Sequence, residues 1–164
     1  ALAGTTVTGI TQGITEADQF RLTADISNPS GDISSNLERV DDATFAKIGT
    51  GMTESSGIYT FPSTGLYLVT LITQTTAIND AAMVVTMQSS SNSGTSYDDI
   101  ANSMSGIASG SINVTMSIGT FVNVTNASTF RVKFASSSFA SGTLKGDTSK
   151  TETGFTFIRL GNSQ

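Results

Sequence analysis

The sequence predicts a single all-β domain, a sandwich or a barrel of about eight to ten short strands. The first observation is composition: 26 of the 164 residues are Thr and 24 are Ser. Thr favours strands and Ser favours turns. The second observation is patterning, because apolar and polar residues alternate in short runs with turn signals between them. We find no run with convincing helical periodicity.

The charge and residue inventory excludes several classes of function. The net charge is -5 and only 13% of residues are charged, whereas a nucleic-acid-binding protein needs basic patches. The absence of Cys and His removes thiol nucleophiles, thiolate metal sites and the usual neutral-pH base. No apolar run approaches the roughly 20 residues of a membrane helix. We therefore expect neither nucleic acid nor membrane as a partner.

Residues 1–19 predict an extended N-terminal arm, and residues 20–164 predict the folded domain. Large apolar residues are too sparse in the arm for it to pack alone. The arm is either a flexible terminus or an anchor that docks on a partner through Val7, Ile10 and Ile14. Its first residues lack the basic and apolar regions of a signal peptide, which favours synthesis in a cytosol.

The first strand of the domain is predicted at residues 20–26, where apolar residues at even positions alternate with polar ones at odd positions. The turn-forming run Asn28-Pro29-Ser30-Gly31 ends it. Residues 32–56 are less regular. There Leu37 and Val40 could pair with Phe45 and Ile48 in short strands around Asp41-Asp42.

Residues 57–72 carry two extended segments joined by the break Pro62-Ser63-Thr64-Gly65. Pro62 has no backbone N–H to donate, so a strand should stop or bulge there. Gly65 permits backbone angles that a side chain would forbid, which suits entry into the next strand. The chain is therefore predicted to cross the break into its most apolar strand.

The strand after this break is apolar on both faces. Tyr67, Val69 and Leu71 share one face, and Leu66 and Leu68 share the other. One face can fill the interior of a sandwich, and the second needs a cover. That cover is either a neighbouring subunit or loops of the same chain.

Further strands and long polar segments complete the pattern. A hydrophilic hairpin loop is predicted at residues 89–97 and a long Ser/Gly/Asp/Lys segment at residues 136–150. A bulge or corner is expected at Gly119, where apolar alternation changes phase. The remaining strands are predicted at residues 82–87, 112–125, 130–134 and 155–160.

The segment Tyr59-Thr60-Phe61-Pro62-Ser63-Thr64-Gly65-Leu66-Tyr67 resembles the hallmark of C1q/TNF-like jelly rolls. That hallmark is an aromatic residue, Pro three residues later, and Gly-x-Tyr after three more. The closing run Gly154-Phe155-Thr156-Phe157-Ile158 is similar to the last core strand of the family. The resemblance implies a single antiparallel jelly-roll β-sandwich that works as a tight homotrimer. Its core or trimer-contact residues would be Tyr59, Pro62, Gly65, Tyr67, Val69, Leu71, Phe155 and Phe157.

In a chain without His or Cys, catalysis would need a carboxylate pair, a Ser-Lys arrangement or a metal. Asp41-Asp42 and Asp98-Asp99 are the adjacent pairs. Neighbouring residues on a strand point to opposite faces, so neither pair can act jointly without a turn. The sequence also lacks a nucleophile elbow and a phosphate-cradling loop. We predict no catalytic or cofactor-binding residues.

Two further sites are conceivable. Asp98 with Asp99, or Asn79 with Asp80, could hold Ca²⁺, because this ion accepts irregular oxygen ligands. Solvated turns are the favoured interpretation of both.

The loop at residues 89–97 is the second conceivable site. It could bind a host-surface glycan or receptor, with Tyr97 as a stacking face and Asn92 and Ser96 as polar contacts. The loop is equally typical of an ordinary solvated hairpin.

The sequence leads to one functional hypothesis with two alternatives. Cysteine-free, Ser/Thr-rich versions of the resembled fold are similar to bacterial and phage proteins. We therefore expect a non-enzymatic, homotrimeric capsid-decorating (cement) protein of a tailed phage, made in the host cytoplasm and located in the virion. Its partners would be the capsid or other virion proteins. The alternatives are a receptor- or glycan-binding tip of a phage fibre, and a secreted bacterial C1q-like adhesin.

Overall fold

The computed structural model describes residues 13–164, which form two antiparallel sheets packed face to face. No helix occurs in this part of the chain. The strands are β1 (Ala17–Leu22), β2 (Ile26–Ser27), β3 (Gly31–Asp32), β4 (Leu37–Arg39), β5 (Thr53–Ser55), β6 (Ile58–Thr60), β7 (Gly65–Ile78), β8 (Met83–Ser90), β9 (Asp98–Ser105), β10 (Ser111–Val124), β11 (Arg131–Ser137), β12 (Thr143–Leu144) and β13 (Gly154–Gly161). The predicted all-β sandwich is confirmed.

The first sheet is organised around β7. This strand pairs with β10 along the full length of both, from Gly65–Val124 to Ile78–Ser111. On its opposite edge, β13 pairs with the first part of β7 and β12 with the later part. β1 follows β13, and β4 follows β1. The predicted most apolar strand is therefore the centre of its sheet. β10 is one edge, and the other side ends in β4 beyond β1 and in β2 beyond β12.

The second sheet has the order β5-β6-β11-β8-β9, and β3 also pairs with β11. The β8–β9 ladder carries a bulge at Met87/Gln88. The edge strands β4 and β5 belong to opposite sheets, and one cleft is lined by residues of both strands. β9 and β10 are the edges on the other side of the sandwich.

The core lies between the sheets and is rich in aromatic rings. Tyr59 packs 4.9 Å from Phe157 and 5.1 Å from Phe20, measured between ring centroids. Phe134 and Phe155 are 4.6 Å apart by the same measure. The core also contains Tyr67, Val69 and Leu71 from β7. These three side chains, which were predicted to lie in the core or at a trimer contact, therefore face the core. The opposite face of β7 carries Leu66, Leu68 and Ile72.

The Pro62-to-Gly65 break takes the chain from the second sheet into the first. Pro62 is half-buried and Gly65 is buried. A Cβ at Gly65 would lie 2.7 Å from the carbonyl oxygen of Gly161 in β13. The glycine therefore permits the close approach of β7 and β13, which is the physical reason for its place in the motif.

The predicted first strand was wrong in its bounds. β1 begins at Ala17, inside the predicted arm, and ends at Leu22. Ala17 to Gln19 pair with β13, so these residues belong to the sandwich. Arg21 was expected to face solvent, yet its side chain is 1% exposed. The reason is that carboxylates from the following segment fold over it.

The predicted pairing between the segments around Val40 and Ile48 was also wrong. β4 pairs with β1, and Val40 N–H donates to the carbonyl of Gln19 at 3.0 Å. Ile48 instead exchanges two backbone hydrogen bonds with Ala17, of 3.1 and 2.9 Å. Both segments satisfy the free edge of β1, because its backbone groups would otherwise be unpaired.

The predicted bulge at Gly119 is absent from the β7–β10 ladder. Pairing continues through Gly119, which lies opposite Thr70, without a register shift. Ile118 and Val122 remain buried, so the alternation keeps its phase. Phe121 lies on the opposite face of β10 from these two residues, and it points outward with 63% of its surface exposed.

The polar segment 136–150 is fastened to the domain by Asp80. Asp80 is 1% exposed, and its carboxylate accepts backbone N–H groups of Ala140 and Ser141, the latter at 3.1 Å. It also accepts the N–H of Ile78 at 3.3 Å. This cradle positions β12, whose Leu144 is fully buried. A sequence that predicts a long loop therefore contains a structural strand.

Acid should weaken this fastening. Burial raises the pKa of Asp80, but the backbone N–H groups outweigh it and hold the pKa below the ordinary 3.8. A carboxylate with a depressed folded-state pKa contributes stability above the unfolded value, and loses it as pH falls through the folded value. We expect Asp80→Asn to lower the unfolding free energy at pH 7 by about 1–3 kcal/mol. The difference from wild type should shrink below pH 3.8, as measured by urea denaturation.

A matched control is Asp98→Asn, since Asp98 is exposed. Its unfolding free energy should stay within about 0.5 kcal/mol of wild type. An equal difference between wild type and Asp80→Asn at every pH would contradict the proposed role of the carboxylate charge.

Candidate assembly surface

The outer face of the first sheet carries an apolar row across four adjacent strands. Ala17 lies opposite Ile158, Ile158 opposite Leu68, and Leu68 opposite Phe121. Directly opposed residues of an antiparallel ladder project from the same face. The row therefore runs from β1 through β13 and β7 to β10.

We define the outer apolar face as Leu66, Leu68, Ile72, Phe121 and Ile158. Phe121 is 63% exposed and Ile72 is 51% exposed, and the other three are half-buried. Isolated exposed apolar residues are ordinary, but neighbouring apolar residues on one sheet face indicate an interaction surface. Leu68 is in direct register with Phe121 and Ile158, whereas Ile72 lies beyond the Thr70 row. The rigid four-strand ladder beneath it fixes the geometry of this surface.

The row next to the apolar one is polar but uncharged. It comprises Gln19, Thr156, Thr70 and Gly119, in the order β1-β13-β7-β10. Gln19 Nε2 donates to Thr156 Oγ1 at 3.2 Å. A partner that covers this row meets uncharged groups, and Gln19 and Thr156 are already hydrogen-bonded to each other, so the desolvation cost is smaller than for charged groups.

The third row contains the one charged group of the three rows, Arg21 on β1. Arg21 Nε donates to Glu38 at 2.7 Å, Nη1 to Asp42 at 2.9 Å and Nη2 to Asp41 at 2.8 Å. Nη2 also donates to the carbonyl of Thr148. The guanidinium is thus buried and paired with three carboxylates, of which Asp41 and Asp42 are themselves exposed. The row continues as Gly154, Ile72 and Ser117.

The electrostatics of this cluster favour its charged form. Burial lowers the pKa of Arg21, and the hydrogen bonds and charges of Glu38 and Asp42 more than offset it, which raises the pKa. Asp41 and Asp42 lie outside the strands, so both reach the same guanidinium. Sequence reasoning missed this cluster because it considered the Asp pair only on a strand.

The predicted ligand loop is largely self-contained. Asn92 Nδ2 donates to Ser96 Oγ at 2.9 Å, and Asn92 Oδ1 accepts the backbone N–H of Ser96 at 3.1 Å. The ammonium of Lys133 lies 4.3 Å from the centroid of the Tyr97 ring. The polar groups of Asn92 and Ser96 therefore hold the hairpin, and one face of Tyr97 contacts a cation.

The candidate calcium ligands also have protein partners. Asn79 Oδ1 accepts the N–H of Gly110 at 2.8 Å, and Asp99 Oδ1 accepts Gln88 Nε2 at 2.6 Å. The Asp80 carboxylate is held by backbone N–H groups, as described above. Within residues 13–164, no cluster of three or more acidic side chains is arranged to hold a metal ion.

The predicted docking residues Val7 and Ile10 lie outside the described residues. Ile14 is 50% exposed and precedes β1. Residues 13–164 contain no helix of the length and apolar character needed to cross a membrane.

Comparison with known proteins supports the fold through structure alone. No protein-family model matches the sequence, and no curated protein matches it either. The TNF protein Eiger of S. frugiperda has 10% identity and a TM-score of 0.71, over 93% of this chain and 96% of that chain. Murine APRIL, at pH 5.0, has 12% identity and a TM-score of 0.63, over 88% of this chain and 98% of that chain. The chain therefore has a C1q/TNF-like jelly-roll fold.

Proposed function

We propose that this chain is a non-enzymatic structural protein that forms a homotrimer and decorates the capsid of a tailed phage. The observation that carries the proposal is the outer apolar face, with Phe121 63% exposed on its edge strand β10. The resemblance of the Tyr59-to-Tyr67 segment to C1q/TNF-like jelly rolls supports three copies as the occupants of this face. In such a trimer each copy covers a neighbour.

The energetics of the face suit self-association. Burying apolar surface contributes roughly 25 cal/mol per Å², and covering an apolar side chain fully contributes about 1.5–3 kcal/mol. The row beside it is uncharged, and Arg21 is already buried against Glu38, Asp41 and Asp42, so covering these rows buries no unpaired cation. These gains are available only when the face is covered.

The arrangement of carboxylates supports a structural role over a catalytic one. Asp41 and Asp42 are engaged by Arg21, and Asp80 is engaged by backbone N–H groups. A general base needs an acceptor oxygen directed at a substrate, and these groups instead stabilise loops. The structural contacts of these three carboxylates therefore explain their positions without a catalytic role.

We assign capsid docking to the N-terminal arm with Val7, Ile10 and Ile14. Ile14 supports this assignment, because its side chain is half exposed immediately before the chain enters β1. The partner would be a capsid or other virion protein. The trimer would be made in the host cytoplasm and become part of the virion.

Deleting residues 1–14, which removes all three assigned docking residues and leaves β1 intact, tests the docking step. The truncated chain should remain trimeric by light scattering, because the outer apolar face lies within residues 15–164. It should fail to appear on particles that incorporate the full chain, as measured by mass spectrometry of purified virions. The matched control is Thr11→Ser in the full chain, which should be incorporated normally.

Two results would contradict the proposal. Purified virions without any copies of the full chain would exclude the decorating role. Equal incorporation of the truncated and full chains would exclude the arm as the docking element.

A further inference from the structure

A cleft of about 460 Å³ opens on the side of the sandwich away from β10, where β4 and β5 form the edges of the two sheets. Phe20 and Met52 contribute apolar side chains to it, and Arg39, Lys47 and Glu54 contribute charged ones. Its volume lies in the range of small-molecule sites. The cleft is separate from the outer apolar face, so the inference does not depend on the trimer.

Arg39 is held in a fixed orientation in this cleft. Its Nε and Nη2 donate to the carboxylate of Asp18 at 2.9 and 3.1 Å, and Asp18 is 1% exposed. Nη2 also donates to the carbonyl of Met52 at 2.6 Å, and the guanidinium lies 4.9 Å from the centroid of the Phe20 ring. The Nη1 group has no hydrogen-bond partner within residues 13–164. A pre-oriented donor is thus available to a ligand.

Lys47 provides a second cation at the same cleft. Its Nζ donates to the carbonyl of Thr50, and it has no carboxylate at ion-pair distance among the residues that the structure describes. Glu54 supplies an acceptor of the opposite charge, held by the N–H of Gly57, which donates to Oε1 at 2.7 Å. Thr50 and Thr53 add hydroxyl groups.

We propose that this cleft binds a sugar acid. The carboxylate of the ligand would contact Arg39 Nη1 and Lys47 Nζ. Hydrogen bonds between a cationic donor and a carboxylate are stronger than those between neutral groups. Its hydroxyl groups would contact Glu54, Thr50 and Thr53. The carboxylates of Glu38 and Glu54 in the cleft wall disfavour phosphates with several charges, and the charged wall disfavours an apolar ligand.

The test is a titration of the isotope-labelled full chain, followed by ¹H–¹⁵N TROSY NMR. Glucuronic acid and N-acetylneuraminic acid are the probes, and glucose and acetate are the controls. We expect saturable shifts at Arg39, Lys47 and Glu54 with Kd on the order of 1 mM, and no saturation with glucose or acetate. Lys47→Gln should weaken binding about tenfold, whereas Lys150→Gln should not change it.

Lys47 and Lys150 are both exposed, so neither substitution should affect folding. The proposal is overturned if neither sugar acid gives saturable shifts at the cleft. It is also overturned if glucose or acetate binds equally well, or if Lys47→Gln and Lys150→Gln bind alike. An acidic peptide that binds where both sugar acids fail would assign the cleft to a protein partner instead.

Discussion

The Phe121→Arg variant is expected to be a folded monomer under conditions in which the wild-type chain is a trimer. Phe121 is 63% exposed on the edge strand β10 and lies opposite Leu68 of the outer apolar face. Three guanidinium groups would be brought into an apolar contact that has no carboxylate to pair with them. Desolvating an unpaired charge costs several kcal/mol, which exceeds what the remaining apolar contacts can offset.

Size-exclusion chromatography with light scattering measures this change, and circular dichroism checks that the variant remains folded. Met104→Arg is the matched control, because Met104 is 67% exposed on β9 of the other sheet. The same side chain placed there should leave the trimer intact. A trimeric Phe121→Arg protein would show that the outer apolar face is not the contact.

Phe157→Ala is expected to produce the largest loss of folding stability. The Phe157 ring is 1% exposed and packs 4.9 Å from Tyr59 and 6.4 Å from Phe20, between ring centroids. Removing a buried aromatic ring leaves a cavity at the centre of the core, and such substitutions cost about 3–5 kcal/mol. That is a large share of the roughly 5–15 kcal/mol that stabilises a typical domain.

Urea denaturation in the Phe121→Arg background measures this loss without a contribution from assembly, since association would make the apparent stability depend on concentration. Met104→Ala in the same background should stay within about 0.5 kcal/mol, because its side chain is already exposed. If Phe157→Ala lowered the unfolding free energy as little as Met104→Ala does, Phe157 could not lie at the centre of the aromatic core.

The fold was predictable because its strongest signals are local. The apolar residues Tyr67, Val69 and Leu71 occupy alternate positions, which predicts that one face of the strand is buried, as observed. The Pro62-to-Gly65 break predicts that one strand ends and another begins, and in the structure the chain passes there from the second sheet to the first. Each is set by neighbours in sequence, so pattern and resemblance reach the correct sandwich.

The assembly surface was only partly predictable because its residues meet through long-range pairing. The outward position of Phe121 depends on an unbroken β7–β10 register, whereas the sequence predicted a bulge or corner at Gly119. The buried state of Arg21 depends on Asp41 and Asp42 reaching it from a segment about 20 residues later. Periodicity within one strand contains no information about such partners.

The central claim is that three copies of this chain cover one another's outer apolar faces. Sedimentation equilibrium of the wild-type protein at about 10 μM tests it most directly, because mass is measured without assumptions about shape. We expect a single species of three times the 16.9 kDa chain mass. A single species of 16.9 kDa at that concentration would contradict the claim.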